Sequence, residues 1–220
     1  DLDFIAHVRK RCDEHGIVLI FDEISSGFRL NTGGSHSIWG LEPDICVLGK
    51  ALGNGHPIGA VIGKEEVMDA AQSSFISSSY WTERVGFVAG LKTLEIFQRD
   101  DVPKTLLATG KNIINGLRSA IAKTSLDIKV IGIDSVPILV FGGDHGQAVK
   151  TLFTQEMLKH NFLAANVIYV SIAHKEEDIA LYLEGVAKVL SYIEQALLGN
   201  IFDHIDGPLS HVGFQRLTKS

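Results

Sequence analysis

The chain has 220 residues, of which 45% are hydrophobic and 21% charged, and a formal net charge of 20 − 26 = −6. This is ordinary globular composition with enough chain for a sizeable core, so it excludes a disordered segment, and the acidic balance excludes a basic surface built for nucleic acid or an anionic membrane. No apolar run approaches the roughly 20 residues that span a bilayer. The two cysteines, Cys12 and Cys46, do not form a C-x-x-C pair. They fit a reducing compartment, and the cytoplasm is the expected location. The first residue is Asp1 rather than Met, which leaves the N-terminus and any targeting signal open.

Residues 2–15 carry Phe4, Ile5, Val8 and Cys12 at helical spacing, with Gly16 as the stop. The charges Arg9-Lys10-Arg11, followed by Asp13 and Glu14, read as its solvated face. Ile17–Phe21 is a short continuous apolar run that suits a strand buried on both faces of a parallel sheet, and it ends at Asp22-Glu23. Residues 25–43 read as a loop. A second strand, Ile45–Leu48, ends at Gly49-Lys50, and a Gly53-Asn54-Gly55 turn leads to a third apolar run, Ile58–Ile62. A short helix from Lys64 to Ala71, a serine-rich loop from Ser73 to Ser79 and a helix from Glu83 to Arg99 complete this part. Beyond Asp100-Asp101-Val102-Pro103 the pattern changes to a helix over 103–123, strands near 128–133 and 136–141, a helix over 146–160, a strand near 167–172 and a helix over 176–198. The expected fold is therefore α/β over residues 1–102, with a mainly parallel sheet, followed by an α+β domain over 103–220 that can close its own core. The segment from Gly199 onward reads as an irregular surface arm.

Asp22 and Lys50 each end an expected buried strand. In a parallel sheet both strand ends lie on one edge, where open α/β sheets bind ligands. Taken alone, an Asp-Glu after a strand is commonly a helix cap or surface pair, and a Gly-Lys is a weaker sign still. The P-loop pattern G-x-x-x-x-G-K-[ST] fails because Ala51 follows Lys50. A dinucleotide-binding turn fails because Asp22-Glu23-Ile24-Ser25-Ser26-Gly27 lacks G-x-G-x-x-G. The nine histidines include no H-E-x-x-H or similar ligand spacing, and no metal is expected. His56, beside the glycine turn, is a weak candidate to line a site at Lys50.

Two longer segments carry more. Leu19-Ile20-Phe21-Asp22-Glu23-Ile24-Ser25-Ser26-Gly27-Phe28-Arg29 is similar to the Asp-Glu-Val-x-Thr-Gly-Phe-Arg segment of class III aminotransferases. Pro43-Asp44-Ile45-Cys46-Val47-Leu48-Gly49-Lys50, continuing as Ala51-Leu52-Gly53-Asn54-Gly55-His56-Pro57-Ile58-Gly59-Ala60, resembles that family's Schiff-base segment. The stretch Ile172-Ala173-His174-Lys175-Glu176-Glu177-Asp178-Ile179 looks like its final helix start. The resemblance covers about residues 1–198 and is strongest to the glutamate-1-semialdehyde 2,1-aminomutase-like branch.

The resemblance implies a pyridoxal 5′-phosphate (PLP) enzyme of the aspartate aminotransferase-like fold type I, with residues 1–102 as part of the large domain and 103–220 as the small one. It implies Lys50 as the lysine that bears the cofactor and then moves the substrate proton, Asp22 as the partner of the pyridine nitrogen, and Ile24 as a side chain on one ring face. It implies that a hydroxyl from a second subunit reaches the cofactor phosphate. Ser79 aligns with that position and Thr82 is a second candidate, although Thr82 equally suits a helix N-cap ahead of Glu83. A homodimer with a shared site follows. Ser25 departs from the Gln or Met of many relatives, and Thr82-Glu83-Arg84 from their Gly-Asn-Pro. The family's glycine-containing phosphate loop and its ring-stacking aromatic have no counterpart before Asp22, so a fragment or one portion of a longer polypeptide is expected. The implied reaction is amino transfer between a small-molecule donor and an oxo acid or aldehyde, or an amino shift within one molecule. The alternative is a catalytically inactive fragment or assembly subunit of such an enzyme.

Overall fold

The computed structural model describes residues 2–211 and 213. The chain divides into two compact units, Asp1–Thr105 and Leu106–Ser220.

In the first unit, helix α1 (Leu2–His15) ends where Gly16 turns left-handed at φ 61° and the Ile17 N–H donates to the Cys12 carbonyl at 2.9 Å. A residue with a Cβ pays steric strain in that conformation, which is why glycine stops the helix here. Strand β1 (Ile20–Asp22) runs parallel to β2 (Ile45–Leu48), with Ile20 opposite Ile45 and Asp22 opposite Val47. Strand β3 (Ala60–Gly63) pairs antiparallel with the other side of β2, so the order is β1-β2-β3 with one parallel and one antiparallel pair. The expectation that residues 17–21 are buried on both faces fails. Ile17 and Ile20 are each 55% exposed, because β1 is an edge strand among the described residues. The helix expected over 64–71 is a single turn, α2 (Glu65–Met68), that tightens into a 3-10 segment, Asp69–Ser73. Helix α3 (Arg84–Asp100) follows, and its N-cap is Glu83, whose carboxylate accepts the Val85 N–H at 3.0 Å. Thr82 is therefore not the cap, which corrects one of its two expected roles.

A buried carboxylate ties this unit together. Asp44 accepts the Leu19 N–H at 2.7 Å, the Arg9 guanidinium at 2.8 Å and the Lys64 ammonium at 2.7 Å. It thereby joins α1, the entry to β1, the entry to β2 and the exit from β3. The Leu19 N–H, then Lys64 and Arg9, hold its carboxyl well below the usual carboxylate range.

Asp101, at φ 46°, is the single left-handed residue between α3 and α4 (Val102–Ile121). Strands β4 (Ile128–Ile133) and β5 (Val136–Phe141) form an antiparallel hairpin with Asp134-Ser135 at its turn. The strand expected near 167–172 is reduced to an extended segment along β5. Only Val167 forms a bridge, to Ile138, although Asn166, Ile168 and Val170 exchange backbone hydrogen bonds of 2.7–3.1 Å with Leu139, Pro137 and Ser135. Helices α5 (Gly146–Lys159) and α6 (Glu176–Ala196) cover the hairpin's core, in which Leu117, Leu152, Phe153, Met157 and Ile193 are fully buried. Glu176-Glu177-Asp178 places acidic groups in the first turn of α6, where the helix dipole favours them. The described part of the final segment is not a loose arm. Ile201 is buried, Gln155 bonds the His204 carbonyl and the Asp206 N–H, and Ser210 bonds Gln147 and Thr151, so residues 201–210 are pinned along α5. The spacing of polar residues in the tail gives no sign of these pairings, which depend on side chains of a distant helix. No helix among the described residues is long and apolar enough to cross a membrane.

Two stability predictions follow from these contacts. Asp44→Ala leaves the Leu19 N–H and Lys64 without their acceptor, and Arg9 with Asp13 alone, and should cost about 2–4 kcal/mol at neutral pH in urea unfolding. Since the folded carboxyl titrates below its unfolded value, the wild-type advantage should be complete above roughly pH 4 and shrink as the pH falls further. Gly110 lies on α4 where an added Cβ would sit 1.7 Å from the Asp134 carbonyl oxygen. Gly110→Ala should destabilise by about 1–3 kcal/mol, although alanine in an exposed helix would gain about 1 kcal/mol.

Candidate active site

The site grows from the C-terminal ends of β1 and β2. Parallel pairing puts both ends on one sheet edge, so Asp22 and the Gly49-Lys50 step emerge side by side. The Asp22 carboxylate is exposed, and its Oδ1 accepts the Ile24 N–H at 3.1 Å. Its Oδ2 has no hydrogen bond among the described residues. Lys50 is exposed and sits at φ 42°, an uncommon conformation for a residue with a side chain, at the head of the 3-10 turn Lys50–Leu52. Its carbonyl accepts the N–H groups of Gly53 and Asn54 at 3.2 and 3.1 Å, which fixes the backbone under the side chain. The Lys50 Nζ donates to the Ser25 Oγ in a short hydrogen bond. Ile24 packs over the step before the lysine, since a Cβ on Gly49 would meet its Cγ2 at 3.6 Å.

The turn after β1 is held by Glu23, a residue whose importance the sequence did not announce. Its Oε2 accepts the Ser35 N–H at 2.5 Å and the Ser26 hydroxyl at 3.1 Å. Its Oε1 accepts the His36 N–H at 3.0 Å and faces the His36 Nδ1 at 2.6 Å. Burial opposes ionisation of this carboxyl, but the backbone N–H groups of His36 and Ser35 outweigh it and hold the group below the usual range. Glu23 is thus neither a helix cap nor a surface pair. It folds residues 26–36 back against the sheet and so presents Ser25 to Lys50. Gly27 is needed for the same reason, because a Cβ there would lie 2.7 Å from Leu48 Cδ2 and 2.8 Å from the Glu23 carbonyl. Phe28 adopts φ 60° and is buried edge-on against Phe97, with ring centroids 5.8 Å apart.

The structure therefore gathers Asp22, Ile24 and Lys50 at one edge and adds Ser25 as the direct partner of the lysine. The hydroxyl at position 25 was legible only as a departure from the related sequences, because its contact crosses from one strand end to the next. Ser79 and Thr82 are exposed on the turns before α3, and neither is hydrogen-bonded to Lys50. His56 is exposed on the glycine turn, again with no hydrogen bond to Lys50. A cavity of about 380 Å³ in the second unit, lined in part by His174, Asp178 and Tyr182, contains none of the expected site residues.

The 3-aminobutyryl-CoA aminotransferase of Cloacimonas acidaminovorans (strain Evry) is 30% identical over 88% of this chain and 48% of its own length. A glutamate-1-semialdehyde 2,1-aminomutase of Methanococcoides burtonii is 34% identical over 84% of this chain and 48% of its own. The FumI protein of Sphingopyxis sp. MTA144, solved in its PLP internal aldimine form, superposes with a TM-score of 0.84 at 29% identity, covering 90% of this chain and 48% of that one. The chain spans about half the length of the curated relatives it matches. The family model for aminotransferase class-III matches residues 1–133, across both the Asp22 and the Lys50 segments, and the chain belongs to that family.

Proposed function

We propose that the full-length protein uses PLP to move an amino group between a small-molecule amino donor and an oxo acid or aldehyde, or to shift an amino group within one molecule. The observation that carries this reading is the sheet edge itself, where a free carboxylate oxygen, an apolar side chain and a lysine amine held by a hydroxyl lie together. Those residues fit the cofactor. Asp22 Oδ2 is available for a pyridinium N–H, Ile24 offers an apolar surface to a ring, and the exposed Lys50 Nζ is available for covalent attachment.

When bound, PLP supplies an electron sink that stabilises negative charge at the substrate carbon. Asp22 would accept a hydrogen bond from the ring nitrogen and keep it protonated, with the Ile24 N–H on Oδ1 holding the carboxylate in place. Lys50 Nζ would hold the cofactor and would carry the proton to and from the substrate carbon. Ser25 Oγ positions the amine for both tasks. Ser79, with Thr82 as the weaker candidate, donates its hydroxyl to the cofactor phosphate of a second copy, which makes the assembly a homodimer with shared sites. The two isolated thiols support a cytoplasmic location. Transfer and intramolecular shift share their half-reactions and differ in whether the first product leaves before the second half begins.

The alternative reading is a catalytically inactive fragment or non-catalytic assembly subunit of such an enzyme. Borohydride reduction of the full-length protein with PLP, followed by peptide mass mapping, separates the two. The enzyme reading expects a reduced adduct on Lys50 that Lys50→Ala abolishes together with turnover, and an adduct elsewhere or near-normal activity in that variant overturns it. Asp22→Asn should retain cofactor but lower turnover by at least about 100-fold. Ser79→Ala should weaken cofactor binding by roughly tenfold or more, as loss of a hydrogen bond to a charged group does, with a smaller effect from Thr82→Ala.

A further inference from the structure

Behind the sheet edge lies a second cluster that the amino-transfer reading leaves unused. The ligand atoms of Glu23, His36 and Cys46 lie within 4.8 Å of one another. Their sequence separations match no metal-binding pattern, and the three meet only because the Glu23 clamp folds the loop beneath β2. Glu23 and Cys46 are buried, and the His36 side chain is 18% exposed. The imidazole is fixed from two sides, by Glu23 Oε1 at 2.6 Å and by the edge of Phe21, with ring centroids 6.2 Å apart. Both His36 and Cys46 also line an open cavity of about 300 Å³ together with Glu42, Pro43 and Ile62. The nearest cation on that wall, Lys64, is already paired with Asp44 at 2.7 Å.

The geometry points to a divalent transition-metal site, of the Zn²⁺ class, with Glu23, His36 and Cys46 as its three protein ligands. One thiolate, one imidazole and one carboxylate are the donors that this class of ion prefers, in a tetrahedral arrangement with donors roughly 3.5 Å apart. The three ligand atoms, now within 4.8 Å of one another, would draw together to that spacing around the ion. The ion would take the place of the hydrogen now shared between His36 Nδ1 and Glu23 Oε1. His36 keeps its one proton by moving it to Nε2, and the Cys46 thiol proton leaves, so one proton is released per ion. The thiolate and carboxylate balance the two positive charges. The Ser35 and His36 N–H groups and the Ser26 hydroxyl remain on Glu23 and hold the ligand in place, as supporting hydrogen bonds do in built metal sites. A fourth position would be filled by water from the side on which His36 and Cys46 line the cavity. Bound there, the ion fastens the loop over residues 26–36 to β2, independently of the PLP reading.

The test uses the full-length protein, stripped with a chelator and titrated with Co²⁺, with the zinc-loaded protein as the spectral reference so that cofactor absorption cancels. One equivalent of Co²⁺ per chain should give visible d–d bands and a near-ultraviolet thiolate-to-cobalt band. Cys46→Ser should remove the thiolate band, Cys12→Ser should keep it, and His36→Gln should weaken binding by at least about tenfold. A wild-type measurement covers the case in which Cys46→Ser does not fold. Zn²⁺ should slow alkylation of Cys46, mapped by mass spectrometry, while leaving Cys12 unchanged. A missing thiolate band, a band that survives Cys46→Ser, or a Cys46 alkylation rate indifferent to Zn²⁺ overturns the site.

Discussion

Two buried carboxylates bracket the parallel pair of strands, and the geometry of the site depends on both. Asp44 secures one end by binding the Leu19 N–H, Arg9 and Lys64, so the entries to β1 and β2 are fixed in register. Glu23 secures the other end by binding the Ser35 and His36 N–H groups and the Ser26 hydroxyl, so the loop after β1 is fixed too. A buried charge is costly unless it is fully hydrogen-bonded, and once it is, few arrangements satisfy it. That makes each carboxylate a specifier of position. Asp22 and Lys50 lie at the edge these two groups define, and Ser25 reaches Lys50 because Glu23 has turned the chain.

The division of labour between neighbouring acidic residues follows from strand geometry. Successive side chains of a strand point to opposite faces. At the end of β1, Asp22 is exposed on the side where a ligand can meet it, and Glu23 is buried on the other. One carboxylate is left with a free oxygen for chemistry, and its neighbour is held by hydrogen bonds from the loop it folds. The lysine shows the same economy. Its left-handed backbone, stabilised by the turn through Gly53 and Asn54, aims the amine back over the sheet edge.

Much of this was legible in the residues. Helical spacing located α1, α3 and α4 to within a few residues, because each carries a long amphipathic pattern, and the expected limits of α5 and α6 also lie within a few residues of those observed. The strands β2, β4 and β5 were legible as short apolar runs between turn residues. The segment near 167–172 was legible as extended chain but forms only one bridge, since its pairing to β5 rests on a few backbone bonds to one neighbour. The burial of 17–21 was misread because an apolar run reports what could be covered, whereas an edge strand with little against it stays open. The tail was misread because Gln147, Thr151 and Gln155 reach it from more than forty positions away in sequence.

By itself the sequence determined the chemistry on offer: a carboxylate and a lysine at consecutive strand ends, a glycine turn behind the lysine, and the two motif segments that tie them to a family. Local spacing is enough for that, because strand ends and glycine turns are properties of a few adjacent residues. Tertiary structure alone decided which hydroxyl meets Lys50, that Glu23 is a loop clamp, and that the ligand atoms of Cys46 and His36 come within 4.8 Å of those of Glu23. Those facts depend on how strands and loops are placed side by side, and pairings across that distance leave no periodic trace in the chain.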